Sequence, residues 1–241
     1  MLRIFILCLA LAWAAATSAS EEAIRKAVEA MLGSEVKVEG ITKTGILGLY
    51  EIRLATEEGV KIIYTDEGAN YYFLGNIVDN KTQTDLTEAR LRRLNAIRFA
   101  DLPLAQAFKI VRGKGSRPLA YFSDPRCSFC KRFEQELAKL DDVAVHVFLL
   151  PVIAPDSAAI SKAVWCAPDR SKSWLDLMLN GVAPPPARAN CEAPLDKNIA
   201  LSQKYRINGT PTLVFADGQR VAGMMSAARL SKMLDEASGR K

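Results

Sequence analysis

Cys127 and Cys130 enclose Ser128 and Phe129, and a Cys-X-X-Cys run exchanges disulfides when its first sulfur is held as thiolate. A short apolar stretch, Leu119 to Phe122, and the turn Asp124-Pro125 precede the run. An amphipathic segment follows, in which Cys130, Phe133, Leu137 and Leu140 share one face. A strand that turns into a helix there sets the first sulfur beside unpaired backbone N–H groups and the positive end of the helix dipole. Cys127 is therefore the candidate nucleophile. Cys130, almost one turn on along the buried side, is the candidate resolving cysteine. The competing reading is half of a structural zinc site, which needs a second paired motif. Cys166 and Cys191 do not form such a pair, so no metal is expected. They suit a structural disulfide within an insertion, with a second redox pair as the functional alternative.

Thr210-Pro211 lies just before an expected strand, and its X-Pro bond is open to either isomer. His146, the single histidine, sits mid-strand among valines and reads as a core or edge residue. The chain thus lacks the parts of a histidine-based triad.

Several elements must position these residues. After Leu119–Phe122 and the helix from about Cys127 to Leu140 comes a second buried strand, Val143 to Leu150, making a parallel β-α-β unit. The stretch from Asp156 to Arg206 is helical, broken at Pro184-Pro185-Pro186, and reads as an insertion. Thr212–Phe215, the turn Ala216-Asp217-Gly218 and Val221-Ala222 form a hairpin, and a helix from Ser226 to Glu236 closes the chain. That is the thioredoxin layout. Upstream, a helix from Glu22 to Met31 with Ile24, Val28 and Met31 on one face precedes strand-like runs around Val36, Tyr50–Leu54, Val60–Thr65 and Tyr71–Val78. This small antiparallel sheet has a marginal core and suits a partner surface. A charged helix from Asp85 to Arg98 reads as a linker, with an ordinary helix packed on the first domain as the alternative.

The chain of 241 residues has apolar content enough for a packed core, which excludes disorder. Residues 1–20 read as a cleaved secretory leader carrying one cation, Arg3, and Cys8 leaves with it. Four cysteines remain, an even count suited to an oxidising compartment. Losing Arg3 lowers the net charge from +5 to +4, spread along the chain without a dense basic patch, so nucleic-acid binding is not implied. The expected division is a leader over 1–20, a small domain over 21–83, a linker helix over 84–99 and a thioredoxin-like α/β domain over 100–241.

The run from Asp124 to Lys131, Val164-Trp165-Cys166-Ala167 and Asn208-Gly209-Thr210-Pro211-Thr212 together resemble the periplasmic protein disulfide isomerases of the DsbC/DsbG family. The resemblance spans the mature chain. It implies a small cystatin-like N-terminal dimerisation domain, a V-shaped homodimer with a thioredoxin-fold domain on each arm, and an apolar cleft for misoxidised or unfolded exported proteins. It also implies that Pro211 is the cis-proline facing the redox pair, with Thr210 before it, and that Cys166 and Cys191 form the structural disulfide. A membrane thiol reductase of the DsbD type would keep the pair reduced, and no cofactor is expected. Ser128 and Phe129 stand where the isomerase branch usually carries Gly-Tyr, and they are the expected redox-tuning residues. A dithiol oxidase and a dimeric holdase chaperone are the rival functions.

Overall fold

The structure, a computed structural model, describes residues 21–33, 36–57 and 59–240. The expected leader over 1–20, with Cys8, lies outside the described residues. The chain divides into two compact units between Leu94 and Asn95.

In the first unit, helix α1 spans residues 21–32. Ile24 and Val28 are fully buried, but Met31 is 48% exposed. The expected stripe is corrected at its third member: Leu32, in the i+4 row with Ile24 and Val28, packs on the core instead. Strands β1 (Lys37–Lys43), β2 (Tyr50–Thr56), β3 (Gly59–Thr65) and β4 (Tyr72–Phe73) form an antiparallel sheet in that order. Tyr50, Ile52 and Leu54 are buried while Glu51 and Arg53 stay partly exposed, the period of two of a half-buried strand. The single strand expected from Tyr71 to Val78 is not formed. Gly75 interrupts it, the Ile77 N–H donates to Thr87 Oγ1 at 2.9 Å, and Val78 begins β5 (Val78–Asp79), which pairs with β6 (Thr84–Asp85).

Helix α2 (Leu86–Leu94) is capped by Asp85, whose Oδ1 accepts the Glu88 N–H at 2.7 Å. It is tied to the first sheet: Thr87 Oγ1 lies 2.6 Å from the Tyr64 hydroxyl, and Arg90 Nε donates to Glu51 at 3.3 Å. Residues 84–99, expected as one linker helix, therefore divide between the units. Ile97 is buried in the second unit, where its N–H donates to the Gly218 carbonyl at 2.9 Å.

The second unit holds β7 (Phe108–Arg112), β8 (Arg117–Ser123), β9 (Val143–Leu149), β10 (Thr212–Phe215) and β11 (Arg220–Ala222), ordered β11-β10-β8-β9-β7. β8 and β9 are parallel and the other neighbours antiparallel. Helix α3 (Ser128–Leu137) is the crossover between them. Leu119 and Tyr121 of β8 pack with Phe133, Leu137, Leu213 and Leu230, while Ala120 and Phe122 pack on the opposite face with Phe148, Ile207 and Val214. A strand covered on both faces must be apolar throughout, which is why the sequence runs Leu-Ala-Tyr-Phe there. β7 was not expected, although Phe108 and Ile110 alternate with exposed Lys109 and Val111 as an edge strand should.

The insertion comprises α4 (Ser157–Cys166), α5 (Arg170–Asn180) and α6 (Leu195–Lys204), with Gly181 ending α5 in a left-handed conformation at φ 69°. Cys166, at the end of α4, is joined to Cys191 before α6. After the β10–β11 hairpin, α7 (Ala227–Ala237) is capped by Ser226. Gly218 in the hairpin turn has φ 88°, and a Cβ there would approach the Ile97 carbonyl oxygen to 3.1 Å, so the turn requires glycine. This is a thioredoxin fold with a helical insertion.

The disulfide closes a loop with a sequence separation of 25. Replacing both Cys166 and Cys191 by serine should lower the unfolding free energy by about 3 kcal/mol in denaturant titrations. A loss well under 1 kcal/mol would mean that the loop is already constrained in the unfolded chain.

Candidate active site

β8 ends at Ser123 and delivers the chain into the turn Asp124-Pro125-Arg126, after which Cys127 stands at the N-cap of α3 with φ −73° and ψ 114°. Its sulfur takes the part usually played by a serine or aspartate oxygen, accepting the Cys130 N–H at 3.1 Å. Cys127 is thus the cap rather than the first helical residue, and the helix expected to run to Leu140 ends at Leu137. Cys127 is 4% exposed and Cys130 is fully buried.

The two thiols have opposite electrostatics. Cys127 is pulled down from 9.0 to about 6. The hydrogen bond from the Cys130 thiol leads that shift, burial opposes it, and Thr210 with the Cys130 and Phe129 backbone N–H groups adds to it. Cys130 is pushed far up, first by burial and then by its hydrogen bond to Cys127, against weaker contributions from Ser123, Asp124 and Thr210. One sulfur is therefore anionic at neutral pH while the other keeps its proton.

The loop before β10 closes the site. Thr210–Pro211 is a cis peptide bond, and the Thr210 carbonyl oxygen lies 3.2 Å from the Cys127 sulfur, which can donate to it only when protonated. The structure thus brings Cys127, Cys130, Thr210 and Pro211 together from two distant segments. Ser128 and Phe129 lie at the surface between the cysteines, Phe129 being 52% exposed with the Arg132 guanidinium 4.6 Å above its ring. Cys166 and Cys191 belong to the insertion. His146 faces Phe99 edge-on from β9. Among the described residues no group of three or more His, Cys, Asp or Glu is placed to hold a metal.

Two carboxylates passed unnoticed in the sequence. Asp124 is fully buried and accepts from the N–H groups of Arg126 (2.7 Å), Val152 (2.7 Å) and Ile153 (2.9 Å) and from the Ser157 hydroxyl (2.8 Å). It fastens the turn before Cys127 to the loop after β9, and the Arg126–Asp156 ion pair spans the same gap. Glu134, one turn beyond Cys130, is 1% exposed and accepts the Trp174 indole N–H at 2.5 Å. Asp-Pro after a strand reads equally well as a turn, and nothing local marks Glu134 as buried except its place in the Cys130 row.

A thioredoxin-like domain model matches residues 104–238, and a disulfide bond isomerase protein N-terminal domain model matches residues 15–88. The chain is 37% identical over 213 residues to the probable thiol:disulfide interchange protein DsbC of Bordetella avium, covering 88% of this chain and 74% of that one. It is 26% identical to thiol:disulfide interchange protein DsbC of Escherichia coli K12, over 81% of this chain and 75% of the other. Among solved structures, a disulfide interchange protein from Neisseria gonorrhoeae matches with a TM-score of 0.55 and 37% identity, covering 58% of this chain and all of that one.

The opposed thiols make an alkylation experiment decisive. In the reduced protein, one thiol should react with iodoacetamide at a rate that rises with pH to a midpoint at about 6, and Cys127→Ser should remove that phase. A midpoint near the ordinary 9.0 would show that the α3 terminus does not stabilise the thiolate.

Proposed function

The chain belongs to the DsbC family of thiol:disulfide interchange proteins, and on that premise we propose that Cys127 is its nucleophile and Cys130 its resolving cysteine. The observation that carries this reading is the Cys127 sulfur at the head of α3, accepting a backbone N–H while lying beside a buried thiol. With its pKa near 6, Cys127 is about nine-tenths thiolate at pH 7 and needs no separate base. It attacks one sulfur of a misplaced disulfide, forming a mixed disulfide and expelling the other sulfur as thiolate.

Two routes lead on. A second thiol of the substrate attacks the mixed disulfide, which reshuffles the pairing and regenerates Cys127. Alternatively Cys130 attacks Cys127, which leaves a reduced substrate and an oxidised pair. The first route is isomerisation and consumes no electrons. The second needs two electrons per turnover, which a membrane thiol reductase of the DsbD type would supply. Thr210 and Pro211 border the reacting sulfur, Ser128 and Phe129 tune its N–H surroundings, and the Cys166–Cys191 disulfide is structural. The substrates are misoxidised exported proteins in the periplasm, reached by cleavage of the leader over 1–20. No helix among the described residues is long and apolar enough to cross a membrane.

The functional unit is a homodimer joined through the first domain. Tyr71, Phe73, Leu74 and Val78 are exposed around the two-residue strand β4 at the sheet edge, and Leu74 is 81% exposed. Such a row is an apolar patch beside an unpaired edge, suited to a second copy.

Acid quenching of cells followed by alkylation tests the electron balance. Cys127 and Cys130 should be trapped mostly reduced, with Cys166 and Cys191 oxidised; a mostly oxidised first pair would assign the protein to the dithiol oxidases. Cys127→Ala should abolish reshuffling of a scrambled substrate, and a variant retaining it would end the assignment of the nucleophile. Phe73→Glu with Leu74→Glu should convert the dimer to monomer in sedimentation, whereas an unchanged mass would place the interface elsewhere.

A further inference from the structure

The redox helix carries two cations that the exchange mechanism does not use. Lys131 stands in the first turn of α3, at the end of a helix where the dipole favours acids, and Arg132 follows it. No acidic residue occupies that turn. The Cys127 thiolate is held by hydrogen bonds against burial, which accounts for neither cation.

The other exposed cations near this helix have carboxylates. Arg126 is paired with Asp156, and Lys139 with Glu136, whose second oxygen accepts the Ala227 N–H at 2.7 Å. Asp124 and Glu134 are buried and occupied by internal donors. Among the described residues neither Lys131 nor Arg132 is ion-paired. The Arg132 guanidinium lies instead over the Phe129 ring, 4.6 Å from its centroid, and that ring is 52% exposed two residues beyond the reactive sulfur. The ring attracts the cation through its π face and holds a side chain that would otherwise sample many rotamers. A guanidinium held there keeps N–H groups for an outside acceptor, arranged as the fork that a carboxylate fits.

We propose that Arg132, held against Phe129, selects disulfides that carry an aspartate or glutamate next to the cysteine attacked by Cys127. The inference rests on Cys127 being the nucleophile, as proposed above. Once the substrate cysteine is bonded to Cys127, its sequence neighbours lie at the rim that Phe129 and Arg132 form. A carboxylate there accepts two N–H groups of the guanidinium. The same contact acts earlier, during approach: an acid beside a disulfide repels an incoming thiolate, and a cation between them reverses the sign of that effect. Arg132 touches neither sulfur of the redox pair, and no proton or electron passes through it. It decides which disulfides are met fastest.

The test is quenched-flow measurement of attack by the reduced, full-length protein on two matched peptide disulfides, one with glutamate and one with glutamine beside the cysteine. Each rate is divided by that of dithiothreitol with the same peptide, which removes the effect of the acid on the disulfide itself. Both peptides meet the same thiolate, so a change in Cys127 cancels in the ratio of the two. The wild type should favour the glutamate peptide by at least about threefold at low ionic strength, and the preference should shrink in about 0.5 M salt. Arg132→Gln should abolish the preference. Lys131→Gln removes an equal charge from the adjacent position and should leave most of it, whereas Phe129→Leu should lower it although Arg132 remains. A wild type without preference, or a preference unchanged in Arg132→Gln or in Phe129→Leu, would overturn the proposal. Equal losses in Arg132→Gln and Lys131→Gln would overturn it as well, by showing a diffuse positive field in place of one positioned arginine. Cys127→Ser keeps the two failures apart: if that variant still attacks both peptides at the wild-type rate, the nucleophile assignment itself falls and the arginine site with it.

Discussion

A thiolate at the head of a helix is an ion held by dipoles, and much of the second unit is arranged to keep it there. Only the N-cap position of α3 meets backbone N–H groups that have no carbonyl to pair with. The residue three further on is turned inward by the same helical geometry, so stabilising the first sulfur and enclosing the second follow from one placement. The parallel β8-α3-β9 unit fixes where that helix begins. Asp124 gathers four donors around the preceding turn, and the strand-leading loop with Thr210 and Pro211 approaches from the other side.

The parts of this arrangement legible in the sequence are those with a local signal. Leu119 to Phe122 and Val143 to Leu150 read as buried strands because a sheet covered on both faces tolerates no polar alternation. The Asp217-Gly218 turn announces its hairpin, and the cysteine spacing announces its chemistry. The rest depends on partners far along the chain. Asp124 finds Val152, Ile153 and Ser157 roughly thirty positions away, and Glu134 finds Trp174 forty positions away, so neither declares its burial in any short window. The run from Tyr71 to Val78 had the composition of a strand, but Thr87 competes for the Ile77 N–H and Gly75 breaks the stretch. Met31 shows the narrower limit of a periodic reading, since the i+7 and i+8 positions of a helix differ by about a quarter turn and only packing chooses between them.

The two buried carboxylates also divide the unit's labour. Asp124 accepts hydrogen bonds from the turn before α3 and from the loop after β9, and so acts as a rivet for backbone. Glu134 joins α3 to α5, side chain to side chain, so that the redox helix and the insertion closed by Cys166–Cys191 share a buried contact. Any movement of α5 would thereby be felt one turn from Cys130.

A free strand edge offers backbone pairing to any extended segment that passes. The five-stranded sheet of the second unit has two edges, and both are poor templates. β11 is only three residues long. β7 presents Lys109 outward, and the Lys109 carbonyl already accepts the Ser171 hydroxyl from α5 at 3.0 Å. An extended chain that reaches this unit therefore finds no long free strand to pair with.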